Sequence, residues 1–279
     1  MSVRIIVDST TDLIPQIRDR VKVVPLSIRF GDEEYIDGVT INTKEFYDKL
    51  VNGGVLPTTS QPTPAAFADV YEEAVGAGDS VLVITIASKL SGTYQSATIA
   101  AEDYPGKVFV VDSRNVAIGA TILVQYALEL VAQGLEAEEI FNRLLQIRSR
   151  IRLAAVVDTL EYLHKGGRIS KTVAIAGGLL AIKPIINVEA GELNMVNKAR
   201  GNKQANTIMN KEIDKMGGVD FSMPVLLGYT GQSDELLQKY IAESKEFWGG
   251  KAFPSTIVGS TVGTHAGPGA VAVAFFTKE

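Results

Sequence analysis

The stretch SVLVITIASKLSGTYQSATIAA, residues 80–101, decides the fold of this chain. It opens with an apolar, β-branched run, 81–86, which predicts a strand buried on both faces. It closes with small and apolar residues, 94–101, which favour a helix. The Ser/Gly loop 88–93 between them is typical of an anion site, because the first N–H groups of a helix have no partner within it. The same pattern is equally compatible with Ser91 serving only as a helix cap.

The first half of the chain alternates strands with helices. Predicted strands cover residues 3–7, 21–30, 81–86 and 108–111, and predicted helices at 116–133 and 137–150 follow them. This alternation predicts a mostly parallel sheet with helices on both faces. Ligands of such sheets bind beyond the carboxyl ends of the strands, where Asp8, the loop 88–93 and Asp112 fall.

The pattern of predicted strands and helices changes after Arg152. A predicted hairpin, 184–196, is followed by helices and strands, and an apolar run at 173–180 predicts a buried helix. We therefore predict an α/β protein with two domains. A parallel α/β domain occupies residues 1–150, and a second α/β domain with a mixed sheet occupies residues 151–279.

The composition indicates an ordinary soluble protein, since 46% of the 279 residues are hydrophobic and 21% are charged. The absence of cysteine excludes disulfide scaffolds, thiolate catalysis and Cys-ligated zinc. A net charge of −5 disfavours a nucleic-acid binder, and no apolar run is long enough for stable insertion into a membrane. The N-terminal sequence MSVRIIVDST lacks the regions of a signal peptide, so we expect a cytoplasmic protein.

Several catalytic motifs are missing from the sequence. It has no G-x-x-x-x-G-K-[ST], no G-x-S-x-G and no H-E-x-x-H. The pattern GPGA at 267–270 resembles part of a dinucleotide fingerprint, but a β-like run follows it rather than a helix. Asp8 and Asp12 are the best candidates for metal ligands in the sequence. Two carboxylates without further candidates close by are too few to make a convincing metal site. We expect neither a metal nor a cofactor.

Two polar segments are further candidates for a binding site. Residues 59–61, between Pro57 and Pro62, predict a stiff polar loop, although an ordinary surface loop explains it as well. His265 lies in a stretch rich in glycine, 259–269, which predicts a loop between two strands. An imidazole there can donate a hydrogen bond to an anion, or it can be incidental.

Six motifs together resemble the DegV family across nearly the whole chain. In order, they are DSTTDL at 8–13, TTSQPTP at 58–64, SKLSGTYQSA at 88–97, VVDS at 110–113, DTLEYLHKGGRIS at 158–170 and GTHAGPGAV at 263–271. The second, third and fifth are long enough to be specific.

The resemblance implies a function as well as a fold. DegV-like proteins hold a long-chain fatty acid between two α/β domains and have no catalytic activity of their own. Some serve as the fatty-acid-binding subunit of bacterial fatty acid kinase. They present the carboxylate to a separate ATP-using kinase subunit, which makes an acyl phosphate for phospholipid synthesis. The fatty acid is a ligand, and no cofactor is implied.

The resemblance also implies residue roles. The family's carboxylate-holding hydroxyls and loop histidine correspond to Thr59, Ser91 and His265, with Ser60 and Gly92 as close neighbours. Arg168 matches the family's arginine in KGGRIS. The basic face for kinase docking corresponds to Lys198, Arg200 and Lys203, where this sequence lacks a histidine.

Two other functions fit the same residues. A hydrolase would use Ser91 as the nucleophile and His265 as the base, with Asp112 as an orienting acid. A binding module for another small anionic ligand needs only the polar loops. The uncharged segment 172–180 suits the wall of a lipid pocket, and a plain core helix explains it equally well.

Overall fold

The structure is a computed structural model that describes residues 2–170 and 182–278. The N-terminal part contains β1 (Val3–Asp8), β2 (Val21–Val24), β6 (Ser80–Thr85) and β7 (Val108–Asp112). These strands form a parallel sheet in the order β2-β1-β6-β7. Every residue of β6 is buried, which confirms the prediction from its apolar run.

Helices cover both faces of this parallel sheet, as predicted. They are α3 (Pro64–Gly76), α4 (Thr93–Ala101), α5 (Ile118–Ala132) and α6 (Ala137–Ile147). Side chains of successive strand residues point to opposite faces, so β1 places Ile6 against α3 and α4 and places Ile5 and Val7 on the side of α5 and α6.

A mixed sheet occupies the C-terminal part. It contains β8 (Ile151–Val156), β9 (Ile182–Glu189), β10 (Glu192–Arg200), β11 (Leu226–Tyr229), β12 (Ser255–Ile257) and β13 (Val271–Phe276). The order is β10-β9-β8-β13-β11-β12, and only β11 and β12 pair in parallel. The predicted hairpin is confirmed: Ala190 and Gly191 both have positive φ, as a two-residue turn of type I′ requires.

Helix α5 lies between the two sheets. Ten of its residues are buried, including Ile118, Ile122 and Leu123, and it contacts β1 and β6 on one side and β8, β11 and β13 on the other. A helix that is apolar all round is expected in such a position. The opposite face of the mixed sheet packs against α8 (Asn202–Lys215) and α9 (Glu235–Glu243).

A small antiparallel sheet corrects two predictions. It consists of β3 (Ser27–Phe30), β4 (Glu33–Ile36) and β5 (Thr58–Ser60), and α2 (Thr43–Asn52) packs beside it. The single strand predicted for 21–30 is wrong, because the chain leaves the parallel sheet at Pro25, whose ring removes a ladder donor. The polar loop predicted around Thr59 is also wrong, since Thr59 pairs with Ile28.

The segment that carries His265 is a helix, not the predicted glycine-rich loop. Helix α10 runs from Ser260 to Ala266 and ends at Gly267, whose φ is +70°. Gly263 serves close packing there, because a Cβ at this position would lie 2.6 Å from Tyr47 Oη.

The other short helices are α1 (Pro15–Arg18) and α7 (Glu161–Lys165), with a 3₁₀ turn at Arg148–Arg150. Helix α1 begins at Pro15 and has no side-chain cap. Asn42 caps α2, and its side chain accepts from the Glu45 N–H. The helix predicted at 173–180 lies outside the described residues. No helix in the described ranges is long and apolar enough to cross a bilayer.

We predict that Gly263→Ala lowers the free energy of unfolding by about 1–3 kcal/mol, because the new methyl group overpacks against Tyr47 and Phe46. Urea denaturation followed by circular dichroism measures this. Gly76→Ala is the matched control, since its Cβ meets nothing within 4 Å and alanine favours the helix. An equal loss of stability in both variants would contradict the packing argument.

Candidate functional site

A large cavity lies between the two sheets. It contains about 820 Å³ of empty space, a volume that includes solvent at its mouth. Four of the residues predicted to bind a ligand line it, namely Thr59 on β5, Ser91 before α4, Arg168 after α7 and His265 on α10. They come from four segments far apart in sequence, so the fold brings them together.

Thr59 and His265 are joined by a hydrogen bond of 2.8 Å between Oγ1 and Nε2. Burial, followed by the nearby charge of Arg168, lowers the pKa of His265 from 6.5 to about 4. The ring is therefore neutral at pH 7. Its Nδ1 is buried and has no hydrogen-bond partner among the residues described. A neutral imidazole with an unsatisfied polar atom at a cavity is a natural contact for a ligand.

Ser91 lies at the start of α4 but is not its cap residue, which is Gly92. The Ser91 hydroxyl accepts from the Thr93 N–H at 3.3 Å and shares a hydrogen bond of 2.9 Å with Thr93 Oγ1. It has further lone-pair and donor capacity for a group in the cavity. The serine thus supports the helix start and lines the cavity at once.

Arg168 fixes the turn after α7 against the loop that follows β6. Its guanidinium donates from Nε to Leu90 O at 3.1 Å and from Nη1 to Gly166 O at 2.5 Å. Burial lowers the pKa of Arg168 from its usual value, and the side chain remains a cation at pH 7. It places one positive charge beside the polar end of the cavity.

Ser60 and Gly92, the predicted ligand-site neighbours of Thr59 and Ser91, lie outside the described cavity lining. Ser60 is exposed on β5, where it pairs with Ser27. Gly92 has a local role, because a Cβ there would lie 2.1 Å from Gln61 Oε1. Gln61 in turn donates to Ser96 Oγ at 3.0 Å, so Gly92 allows β5 to approach α4 closely.

The rest of the described lining is mainly apolar, and both sheets contribute to it. The mixed sheet supplies Leu153, Ala155, Ile186, Val188 and Ala272, and the residues next to its strands supply Val157 and Ala270. The N-terminal part supplies Ile86, Leu90, Val116 and Ala117. Its other polar residues, Thr10, Thr230 and Thr261, already bond to protein groups. No acidic residue is among the lining residues that the structure describes. The cavity therefore suits a long apolar chain that ends in an anion.

The arrangement does not form a catalytic triad. The hydrogen bonds of Ser91 go to Thr93, and the bond of His265 goes to Thr59. Asp112 accepts from Ser88 Oγ at 2.6 Å and from the Arg114 N–H at 2.8 Å. With neither the base nor the acid in place, the geometry does not support the hydrolase hypothesis.

Three buried carboxylates near β1 are occupied with structural hydrogen bonds. Asp8 accepts from the Ile86 N–H at 2.8 Å, Asp12 from the Gly259 N–H at 2.7 Å, and Asp37 from Thr261 Oγ1 at 2.6 Å. Burial raises the pKa of Asp8 and Asp12 above the usual value. In the described ranges no group of three or more His, Cys, Asp and Glu side chains is arranged to hold a metal ion.

Sequence reasoning missed the anchoring role of these acids, because Asp12 and Asp37 lie more than 200 residues from their partners Gly259 and Thr261. No local motif signals such a contact.

The predicted docking residues Lys198 and Arg200 lie on β10, the edge strand of the mixed sheet, and Lys203 lies in the first turn of α8. All three are exposed. Arg200 uses its backbone N–H to bind Gln204 Oε1 at 2.9 Å. The three cations therefore lie close together in sequence, at the junction of β10 and α8.

Comparisons with known proteins identify the family. The profile described as DegV family matches residues 2–278, so the chain belongs to the DegV family. A DegV domain-containing protein of Caldanaerobacter subterraneus subsp. tengcongensis is 38% identical over 284 residues, which cover 99% of this chain and 99% of that protein.

Solved structures share the fold. A DegV family protein from Thermus thermophilus, reported for its fatty acid binding, superposes with a TM-score of 0.88 at 31% identity and covers 100% of both chains. The fatty acid kinase B3 protein of Streptococcus pneumoniae, loaded with linoleic acid, gives a TM-score of 0.87 at 23% identity and also covers 100% of both chains. At that identity the second likeness shows the fold alone. The predicted fold class is confirmed.

We predict that the His265 ring stays neutral down to about pH 4, because burial and Arg168 oppose its protonation. The ¹⁵N shifts of the ring, followed by NMR between pH 8 and pH 3.5, measure this. The chain has only one other histidine, so a His164→Gln variant assigns the signals.

The same shift has a consequence for stability. The unfolded chain binds the proton near pH 6.5 and the folded chain only near pH 4, so the contribution of His265 to stability falls as the pH drops through 6.5 toward 4. A ring that titrates near pH 6.5 in the folded protein would contradict this.

Proposed function

We propose that the protein binds a long-chain fatty acid, with its tail in the cavity between the sheets. The carboxylate accepts one hydrogen bond from Ser91 and one from the Thr59–His265 pair, whose mutual bond leaves only one of their two protons free. The charge of Arg168 lies beside it. The observation that carries the proposal is the pairing of a large apolar cavity with an acid-free end rich in donors. The fatty acid binding reported for the Thermus thermophilus relative supports it.

The energetics assign different roles to the two ends of the ligand. Each buried methylene contributes about 0.8 kcal/mol, so a tail of roughly fifteen contributes on the order of 10 kcal/mol before ordering costs. A hydrogen bond to a charged group contributes about 1.5–3 kcal/mol. The tail therefore supplies most of the affinity, and the polar end sets the orientation.

The proposal extends to a role as a carrier without catalytic activity. The protein presents the carboxylate to a separate ATP-using kinase subunit, which forms an acyl phosphate for phospholipid synthesis in the cytoplasm, where ATP is available. The motif resemblance and the exposed cations Lys198, Arg200 and Lys203 support this part. The ligand then lies between two domains, at residues 1–150 and 151–279.

We predict that Ser91→Ala weakens fatty acid binding about tenfold or more, because it removes a donor to the carboxylate. Isothermal titration of the delipidated protein with palmitate and oleate measures the dissociation constants. Ser88→Ala is the matched control, since Ser88 lies in the same loop but is exposed and bonds to Asp112.

Two results would contradict the binding proposal. In one, delipidated wild-type protein gains no thermal stability from either acid, and native mass spectrometry finds no co-purified fatty acid. In the other, Ser91→Ala and Ser88→Ala bind equally well, which would remove Ser91 from the site. A different small anion in the native mass spectrum would favour the general binding module instead.

We predict that replacing Lys198, Arg200 and Lys203 together by glutamate lowers kcat/KM of the kinase reaction about tenfold or more, because the partner then meets repulsive charge. The readout is acyl phosphate formation with a purified kinase subunit. Fatty acid affinity should stay unchanged, since these residues lie outside the described cavity lining. Lys245→Glu, an exposed lysine elsewhere, is the control, and an equal loss in both would contradict the docking role.

A further inference from the structure

A second space adjoins the polar end of the cavity. It is a depression of about 670 Å³, a volume that includes open solvent, and it shares Thr59, Arg168 and His265 with the cavity. These three residues therefore form a partition between the cavity and the depression. A carboxylate held on the partition has the depression on its outer side.

The depression has a different chemical character from the cavity. Its described lining contains two cations, Lys165 and Arg168, the hydroxyl residues Thr58 and Tyr162, and no acid. The mixture of positive charge and hydroxyl donors fits an anion with several oxygens. Fatty acid binding alone assigns no role to Lys165, Thr58 and Tyr162, because Thr59, His265 and Arg168 already contact the carboxylate in the proposed complex.

Lys165 is available for such an anion. Its Nζ pairs with Glu161 Oε1 at 2.6 Å, but the two side chains are 54% and 56% exposed. An exposed pair of this kind holds its partners weakly, so the ammonium group can turn to a ligand at small cost. Arg168 is fixed instead by its bonds to Leu90 and Gly166, and it provides a charge in a constant position.

We infer that this depression is the subsite for the phosphoryl group of an acyl phosphate, with Lys165 as its main ligand. The inference rests on the proposed function. In that reaction a carboxylate oxygen bonds to the γ-phosphorus of a nucleoside triphosphate, and the bond from phosphorus to the β,γ-bridging oxygen breaks to release the diphosphate. No proton moves, and the head group gains about one negative charge.

The location of this new charge follows from the different linings of the cavity and the depression. The interior of the cavity is apolar, so the phosphoryl group extends outward across the partition. In the depression it meets Lys165 and the outer side of Arg168. The subsite would thus hold the product after transfer and distinguish it from the free acid.

The test uses the delipidated full chain and two ligands of equal chain length. One is a saturated fatty acid, and the other is the matching 2-oxoalkylphosphonate, a stable acyl phosphate analogue in which a methylene replaces the bridging oxygen. Isothermal titration gives the affinity ratio of the two ligands for the wild type, Lys165→Gln, Lys165→Arg and Glu161→Gln.

We expect Lys165→Gln to weaken phosphonate binding about tenfold and to leave fatty acid binding within about twofold, as loss of one charge-assisted contact predicts. Lys165→Arg should retain most of the phosphonate affinity, because it keeps the charge. Glu161→Gln should tighten phosphonate binding, since it removes the competing carboxylate.

Three outcomes would overturn the subsite. They are an equal loss for both ligands in Lys165→Gln, no loss for either, and a wild-type protein that binds the acid but not the phosphonate. A wild type that binds neither ligand overturns the proposed function as well. Thermal unfolding of each variant shows whether the fold is intact. If Lys165→Gln is unstable, the phosphonate affinities of the wild type and Glu161→Gln still test the subsite.

Discussion

The site depends on hydrogen bonds that tie the helix carrying His265 to the N-terminal half of the chain. Asp12 accepts from the Gly259 N–H and Asp37 accepts from Thr261, at the start of α10, while Tyr47 Oη donates to Val258 O at 2.9 Å just before it. Buried carboxylates without such partners would be costly. These contacts fix the helix, and the helix places His265 against Thr59.

Contacts between segments far apart in sequence also position other polar groups of the site. Arg168 reaches Leu90 from the turn after α7, and Gly92 allows Gln61 to bring β5 close to α4. Contacts between elements therefore hold Thr59, His265 and Arg168, whereas Ser91 is held within its own loop by Thr93. The interior stays apolar because the other polar lining residues, such as Thr230, are satisfied by protein groups.

Much of the architecture was predictable from local patterns. The buried run 81–86 and the Ala190-Gly191 hairpin each have a short-range signal, and both are as predicted. The helix at His265 was not predictable in this way, because glycines normally signal a loop and Gly263 is instead required by Tyr47 and Phe46. Local patterns made Thr59, Ser91 and His265 candidates, and the family resemblance assigned their roles and added Arg168. Their meeting at one cavity depends on tertiary contacts that no spacing encodes.

Helix α5 has a consequence for how the chain folds. Its side chains belong to one continuous core that includes residues of both the parallel and the mixed sheet, such as Ile5 and Ala274. A fragment ending near residue 150 would leave one apolar side of this helix in water, which favours aggregation over independent folding. The apolar core is therefore continuous across the two predicted domains, and we expect a chain cut near residue 150 to destabilise both halves.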